Sequence, residues 1–239
     1  DSEAATGTAG IYVDDGGGNS IVIGPGANAA LSPDFVAAQG EAIAAARVVL
    51  AQLESPVDAI VEALRRARAH GAHTVLNPAP ANAPCTRELL AVADVLTPNE
   101  TEFAGLLARH CGGGTEPGSL ARMDEEHLHR LCRTLLPRGT VVLTLGAAGC
   151  FVSHREDSLH GDESPHYRCP AAEAKVVDTT GAGDAFNGAL AASLAMAPAQ
   201  PFASHVRFAT RYAAMSTERP GAADSMPGAG EFAARYPAD

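Results

Sequence analysis

The sequence has very little lysine, the residue on which many nucleotide-binding loops depend. Lys175 is the single lysine among 239 residues, and Val176 follows it rather than serine or threonine. A Walker A loop needs a Gly-Lys-Ser/Thr tripeptide, because its ammonium group reaches the terminal phosphates. The sequence therefore excludes a Walker-type site, and any nucleotide must be held by another arrangement.

Positive charge is scarce overall, since 17 Lys and Arg stand against 28 Asp and Glu, for a net charge of -11. Surfaces that bind nucleic-acid phosphates need an excess of basic residues, and the charges here are scattered. Apolar runs also stay well short of the roughly 18 residues of a membrane span. We expect neither a nucleic acid nor a membrane as partner. A cytoplasmic location is expected, and an organellar signal upstream of Asp1 is left open because the chain does not begin with Met.

The cysteines are few and widely spaced, and no two of them form a CxxC pair. They are Cys85, Cys111, Cys132, Cys150 and Cys169. This spacing fits neither a zinc ribbon nor a disulfide-dense secreted scaffold. The sequence predicts reduced thiols with structural roles.

From Pro33 onward, short β-branched runs alternate with longer helical stretches, a pattern typical of βα units that feed a parallel sheet. The predicted strands cover residues 48–53, 74–76, 94–96, 141–145, 151–152 and 174–177. The predicted helices cover residues 56–70, 100–109, 125–136, 182–195 and 202–215. Residues 155–166 are predicted to be a polar connection. The fold class is therefore α/β with a largely parallel central sheet.

The first thirty residues have a different pattern. Two extended segments, 8–13 and 20–23, flank a Gly-rich turn over 14–19, which predicts a β-hairpin. A lone hairpin is only marginally stable in water, so this one must pack on the α/β body, on a missing part of the chain or on a partner. We divide the chain into a hairpin over 1–30 and an α/β domain over 31–239.

The most informative stretch runs from Val176 to Phe186, where a β-branched run enters a Gly-Ala-Gly turn and leaves as a helix. Glycines at a helix N-terminus leave backbone N–H groups free to face an anion, which the helix dipole also favours. The negative charge of Asp184 beside such a site would repel a phosphate, so its presence there indicates a role in the reaction. It could act as a general base that takes the proton of an attacking hydroxyl. The alternative is that Asp184 only caps the helix.

The heptapeptide Asp-Thr-Thr-Gly-Ala-Gly-Asp at 178–184 resembles the second signature of the ribokinase family of carbohydrate kinases, also called the PfkB family. Five further stretches extend the resemblance over essentially the whole chain. They are Gly26-Ala27-Asn28, Gln52-Leu53-Glu54, Asn77-Pro78-Ala79-Pro80-Ala81, Thr97-Pro98-Asn99-Glu100-Thr101-Glu102 and Thr144-Leu145-Gly146-Ala147-Ala148-Gly149. The resemblance implies a three-layer fold with a small β lid, to which the hairpin would belong. It also implies a homodimer formed through that lid.

The same resemblance implies an ATP-dependent sugar kinase, with D-ribose as the expected substrate and D-ribose 5-phosphate as product. Asp184 would be the catalytic base, and Gly181, Ala182 and Gly183 would form the anion hole. Glu54, at the end of a strand, would accept hydrogen bonds from the sugar; otherwise it is a surface carboxylate. There are two alternatives. The protein could be another sugar or nucleoside kinase of the family, or a non-catalytic nucleotide-binding or dimerising module.

ATP and Mg²⁺ are the cofactors that the resemblance implies first. The ATP-binding positions would be Asn99, Thr144, Leu145, Gly146, Ala147, Ala148, Gly149, Gly183 and Thr210. Asn99 and Glu102 would support Mg²⁺ and phosphate, since hard oxygen ligands suit this ion. Without the family, these two residues are equally well explained as the capping box of a helix. The 144–149 stretch is otherwise a tight turn after a strand.

A potassium ion is also implied, held beside the anion hole by two loops. The positions that match its ligands are Asp178, Thr180, Ser216, Arg219, Gly221 and Ser225. Pro220 and Asp224 are local differences from the family pattern. The family's first strand and its Gly-Gly-Lys-Gly-Ala-Asn-Gln signature, which bind the sugar, have no match here. Residue 1 matches a point after them, so we expect the chain to represent part of a longer protein or a short form.

Overall fold

A six-stranded sheet lies at the centre of the fold in the computed structural model, which describes residues 3–13 and 19–237. Its strands are β3 (Val48–Ala51), β4 (His73–Leu76), β5 (Val95–Leu96), β6 (Thr140–Thr144), β7 (Cys150–Ser153) and β8 (His166–Cys169), in that spatial order. β3 to β6 pair in parallel, whereas β7 runs antiparallel to both of its neighbours. The predicted largely parallel sheet is confirmed.

The described α-helices lie before β3, after each of β3, β4 and β5, and after β8. They are α1 (Pro33–Ala38), α2 (Gly40–Ala45), α3 (Val57–Ala69), α4 (Arg87–Ala91), α5 (Glu100–Cys111), α6 (Glu125–Leu135), α7 (Ala182–Met196), α8 (Phe202–Ser216) and α9 (Ala229–Arg235). The five predicted helices are confirmed to within two residues at either end. The short helices α1, α2, α4 and α9 were not predicted, because five to seven residues are too few to establish a helical period. None of the described helices is long and apolar enough to cross a membrane.

Successive strand residues point to opposite faces of the sheet and so fill two cores. Leu76 and Leu96 are buried on one face, against helices α3 to α6. Val75 and Val95 are buried on the other face, against α7 and α8. The sheet between two helical layers confirms the predicted three-layer fold.

The prediction of a strand over residues 174–177 is wrong. Val176 and Val177 are 62% and 58% exposed, and the N–H of Val177 donates to the carbonyl of Thr217 at 2.8 Å rather than to a neighbouring strand. The partner of β7 is instead β8, at His166–Cys169, part of which had been predicted as a polar connection. β8 was missed because its four residues are all half-buried and lack an apolar run.

The first segment forms a separate two-stranded antiparallel sheet, as predicted. Its strands are β1 (Thr8–Val13) and β2 (Asn19–Gly24), with Thr8 opposite Gly24 and Val13 opposite Asn19. Most of the predicted Gly-rich turn, residues 14–18, lies outside the described residues. We refer to β1 and β2 together as the lid.

A buried polar network joins the β7 end of the sheet to α8. His154 is fully buried and its Nε2 lies 3.1 Å from Oδ2 of Asp162. The same oxygen accepts from the hydroxyl of Tyr167 at 2.7 Å, and Oδ1 accepts from the N–H of Ala203 at 2.9 Å. Burial lowers the pKa of His154 to about 4, against the opposing effect of Asp162. His154 is therefore neutral in the folded protein at neutral pH.

We expect this histidine to make folding sensitive to acid. Because the pKa is about 4 when folded and near 6.5 when unfolded, the unfolded chain gains the proton first as the pH falls, and stability is lost over that window. When the pH is lowered from 7.5 to 5.5, the free energy of unfolding measured with urea should fall by about 1 kcal/mol more for the native protein than for His154→Gln. His127→Gln changes an exposed histidine, so its free energy of unfolding should depend on pH as that of the native protein does. Equal losses in all three proteins would contradict this account.

Candidate active site

A cavity of about 680 Å³ opens beside the N-terminus of α7, a volume within the usual range for small-molecule sites. Seven of the predicted ATP-binding residues line it: Asn99, Thr144, Gly146, Ala147, Gly149, Gly183 and Thr210. Other lining residues are Thr179 and Ala182 on the predicted phosphate turn, and Glu100, Ala171, Ala172, Ala174, Val176, Phe186, Ala213, Ala214 and Thr217. The structure thus brings distant parts of the sequence to one mainly apolar cavity.

The N-terminus of α7 is built by the Gly-Ala-Gly turn. Gly181 has a φ of 75°, a left-handed conformation that favours glycine, and a Cβ there would lie 3.2 Å from Ala222. Gly183 faces open space, since a Cβ placed on it meets no atom within 4 Å. The N–H of Ala182 donates to Thr179 at 3.1 Å, so this one of the three predicted anion-hole amides is already engaged. The helix end is nevertheless open to an approaching anion beside Gly183.

Asp184 and Glu54 are brought together at this helix end, although 130 positions separate them in the sequence. Asp184 lies in the first turn of α7, and Glu54 follows β3. Partial burial, and secondly the negative charge of Glu54, raise the pKa of Asp184 above its ordinary value. A carboxylate with a raised pKa is a better proton acceptor for a hydroxyl group, which suits a general base.

The predicted nucleotide turn after β6 is closed by its own backbone. The N–H of Leu145 donates to the carbonyl of Gly149 at 2.8 Å, and the N–H of Gly149 donates to Gly146 at 3.0 Å. Leu145 is only 3% exposed and packs in the core, and neither it nor Ala148 lines the cavity. The turn therefore presents mainly Gly146, Ala147 and Gly149 to the cavity.

Asn99 and Glu102 form the capping box of α5. Asn99 accepts from the N–H of Glu102 at 2.9 Å, and Glu102 accepts from the N–H of Asn99 at 2.8 Å and from its amide at 2.9 Å. Glu102 is 5% exposed, and burial raises its pKa. The capping interpretation is confirmed, and it leaves only Asn99 of the pair on the cavity wall.

Comparison with known proteins identifies the family. The model of the pfkB family of carbohydrate kinases matches residues 1–229. This chain belongs to that family.

Two relatives and one solved structure illustrate how much of the pfkB domain is present. The chain is 35% identical to a ribokinase of Staphylococcus aureus, covering 95% of this chain and 68% of the relative. It is 36% identical to a ribokinase of Mus musculus, covering 94% of this chain and 65% of the relative. The structure of Arabidopsis thaliana ribokinase in complex with ribose and ATP aligns with a TM-score of 0.81 and 27% identity, over 96% of this chain and 69% of that one. The chain thus spans about two thirds of the length of these pfkB relatives.

The two loops predicted to hold a cation in this pfkB chain are joined through Asp178. Its Oδ1 accepts from the N–H of Thr180 at 2.9 Å, and its Oδ2 accepts from the N–H of Gly221 at 2.8 Å. These hydrogen bonds lower the pKa of Asp178 and keep it charged, and the one from Gly221 has the largest effect. The loops carrying the predicted ligands are therefore in direct contact.

The other predicted cation ligands have their side chains engaged. The hydroxyls of Ser216 and Ser225 are buried and donate to backbone carbonyls at 2.8 Å. The side chain of Arg219 forms an ion pair with Glu231 of α9. Among the described residues no cluster of three or more His, Cys, Asp or Glu is placed to hold a metal ion. The hydroxyl hydrogens of Ser216 and Ser225 and the guanidinium of Arg219 are therefore all paired within the protein.

A hydrogen-bonded chain supporting α7 was missed by the sequence reasoning. Asn187, 5% exposed, donates from its amide to the carbonyl of Gly183 at 2.9 Å, and its Oδ1 accepts from the hydroxyl of Thr97 at 2.5 Å. The carbonyl of Thr97 in turn accepts from the amide of Asn77 at 2.8 Å. These residues fix the first turn of α7 against the ends of β4 and β5. A polar residue four positions after Gly183, in a helix whose other residues are mostly apolar, was the available signal.

Proposed function

We propose that the protein is a ribokinase, which transfers the γ-phosphoryl group of ATP to D-ribose and yields ADP and D-ribose 5-phosphate. The observation that carries the proposal is the position of Asp184. It lies at the open N-terminus of α7, next to Gly183 on the cavity wall and close enough to Glu54 for that charge to raise its pKa. The ribokinase relatives support the choice of sugar.

The proposed step is an in-line displacement at the γ-phosphorus. Asp184 accepts the proton of the primary hydroxyl while that oxygen forms a bond to phosphorus and the bond to the leaving ADP oxygen breaks. The free N–H groups at the start of α7 stabilise the charge of the transferring group. Glu54 accepts hydrogen bonds from ribose hydroxyls and so directs the reacting hydroxyl toward Asp184.

ATP occupies the cavity of about 680 Å³ in this proposal. Val176, Phe186 and Ala213 give the cavity lining apolar surface that suits the adenine ring, and Thr210 also belongs to the lining. Gly146 has no atom within 4 Å of where a Cβ would lie, so the nucleotide can approach this turn closely. The phosphates then point toward Gly183 at the N-terminus of α7.

Two cations complete the proposed site. Asn99 would support Mg²⁺ and phosphate from the cavity wall, with Glu102 positioning Asn99 through the capping box. When bound, Mg²⁺ neutralises charge on the phosphates. Potassium would be held by the loops that Asp178 joins, at the positions Thr180, Ser216, Arg219, Gly221 and Ser225. Its field would act on the anion hole through the 178–183 loop.

The raised pKa of Asp184 predicts the acidic side of the pH–rate profile. Because a general base must be deprotonated, kcat/KM should fall as the pH drops through this pKa. Glu54→Gln removes the like charge, which lowers the pKa of Asp184, so the fall should move to lower pH while KM for ribose rises. An unchanged acidic side in this variant would contradict the coupling of the two carboxylates.

Potassium dependence provides a second prediction. Asp178→Ala removes the hydrogen bond from Gly221 that joins the two loops and the one from Thr180 that shapes the first loop, so activation by KCl over an equal concentration of choline chloride should be largely lost. The control is Asp224→Asn, a carboxylate in the neighbouring 3₁₀ turn. Full potassium activation in Asp178→Ala would remove these loops from the proposed cation site.

A coupled ADP-release assay with a panel of sugars and nucleosides tests the function, on the protein as its gene encodes it. We expect turnover to be fastest with D-ribose. Faster turnover with another sugar or a nucleoside would favour a different kinase of the family. ATP binding without any turnover would favour a non-catalytic nucleotide-binding module and would defeat the proposal.

We further propose that the enzyme is a homodimer formed through the lid. Tyr12, Val22 and Ile23 support this, since they are 67%, 64% and 47% exposed on a two-stranded sheet. The register places Tyr12 and Val22 on one face of the lid and Ile23 on the other. Neighbouring exposed apolar side chains such as Tyr12 and Val22 are typical of interaction surfaces. Sedimentation velocity should give a dimer, and Val22→Asp should give a monomer.

A further inference from the structure

Cys150 and Cys169 are paired across the sheet beside the proposed nucleotide cavity. They are directly opposite each other in the antiparallel pairing of β7 with β8. Opposed residues of such a pair place their Cβ atoms about 4.5–5.5 Å apart on one face, and the short end of that range meets the roughly 3.5–4.5 Å that a disulfide requires. Both side chains face the core that α7 and α8 cover. Neither residue has a role in the proposed phosphoryl transfer.

The environment of Cys169 is that of a reactive thiol. Cys169 is partly exposed, whereas Cys150 is buried. The pKa of Cys169 is lowered to about 6, first by contact with the Cys150 thiol. The Thr210 hydroxyl and the positive charges of Arg207 and Arg211 lower it further. By contrast, burial raises the pKa of Cys85 to about 11 and that of Cys132 to about 12. Thiolate, the nucleophilic form of cysteine, is therefore favoured at Cys169.

The pair is also connected to the cavity wall. Gly149 immediately precedes Cys150, Ala171 lies two residues after Cys169, and both line the cavity. The Sγ of Cys169 lies 3.9 Å from the hydroxyl oxygen of Thr210, another lining residue. A Cβ on Gly149 would lie 2.1 Å from the carbonyl oxygen of Cys169, so the two segments are packed without spare room. A covalent bond across the pair would shift this part of the wall.

We propose that Cys150 and Cys169 form a thiol–disulfide exchange site that small-molecule disulfides oxidise, and that its closure weakens nucleotide binding. The effect on the nucleotide rests on the proposed function, whereas the exchange site does not. The Cys169 thiolate attacks one sulfur of the small disulfide, forms a mixed disulfide and releases one thiolate. Cys150 then attacks the sulfur of Cys169, and a second thiolate leaves with the Cys150 proton. The two protein thiols supply the two electrons that reduce the small disulfide to two thiols.

Treatment of the full-length protein with glutathione disulfide, followed by peptide mass mapping, tests the site. We expect a Cys150–Cys169 disulfide, reversed by dithiothreitol, with Cys85 and Cys132 still reduced. Cys150→Ser should instead retain glutathione on Cys169, and Cys169→Ser should block reaction at both positions. Cys111→Ser is the matched control and should oxidise like the native protein. A stable glutathione adduct on native Cys169, or no reaction there, would overturn the proposal.

Binding of a fluorescent ATP analogue tests the consequence. We expect Kd to rise roughly fivefold or more on oxidation, the lower end of typical coupling between sites, and to recover on reduction. An unchanged Kd in the mapped disulfide form would overturn the coupling to the cavity. Failure of the reduced protein to bind the analogue would instead count against the proposed function, and the mass map would still decide the exchange site.

Discussion

Asp184→Asn should lower kcat by about a hundredfold to ten-thousandfold, the usual contribution of a general base, while the protein stays folded. The amide has nearly the shape of the carboxylate but cannot accept a proton from the attacking hydroxyl. Nucleotide affinity should be kept or slightly increased, because a negative charge beside the phosphate turn is removed. Steady-state ADP release, with binding of a fluorescent ATP analogue measured in parallel, separates these effects.

Asp34→Asn is the matched control for this variant. Asp34 is also an acid in the first turn of a helix, α1, and it is exposed. It should retain native kcat, since loss of a helix-end charge alone is worth only about 0.3–1 kcal/mol of stability. If Asp184→Asn kept more than a tenth of native kcat, Asp184 would not be the general base and the proposed mechanism would fail.

Gly149→Ala should be the most destabilising of the substitutions considered, by about 2–5 kcal/mol, through steric overlap and backbone strain together. Gly149 has a φ of 86°, and an added Cβ would lie 2.1 Å from the carbonyl oxygen of Cys169 and 2.5 Å from the nitrogen of Ala171. Neither neighbour is a flexible side chain, so β8 must shift. Urea unfolding with a two-state fit measures the loss in free energy of unfolding.

Gly146→Ala separates steric overlap from backbone strain in the same turn. Gly146 also has a positive φ, 54°, but a Cβ there meets no atom within 4 Å. The free energy of unfolding of Gly146→Ala should be lower by only about 1–2 kcal/mol, the cost of placing alanine in the left-handed conformation. Equal losses for the two variants would mean that the contact of Gly149 with β8 contributes nothing to stability.

Local patterns were sufficient to predict most of the secondary structure. The helices now assigned as α3, α5, α6, α7 and α8 each present a periodic apolar face, and the inner strands are β-branched runs between them. The order and spacing of these elements indicate a parallel sheet before any coordinates are known. β8 lacked such a pattern, because its position depends on pairing with β7 rather than on its own residues.

The 178–184 motif likewise predicted a turn at the start of a helix, because its glycines and aspartate are adjacent in the sequence. Which residues support that turn was decided only by the tertiary structure. Asn187 and Thr97 are 90 positions apart, and their hydrogen bond exists because α7 packs across the ends of the strands. Buried polar partners of this kind leave no periodic signal in either segment.

The scarcity of lysine excluded a Walker-type loop from the sequence alone, and the sequence also supplied the candidate base and the family resemblance. Only the tertiary structure brought Glu54 to Asp184, where its charge raises the pKa of the aspartate. Only the register of β7 against β8 set Cys150 opposite Cys169. The physical reason is the same in both cases. Charge interactions and thiol contacts depend on distances of a few ångströms, and chain folding sets those distances between residues that are remote in sequence.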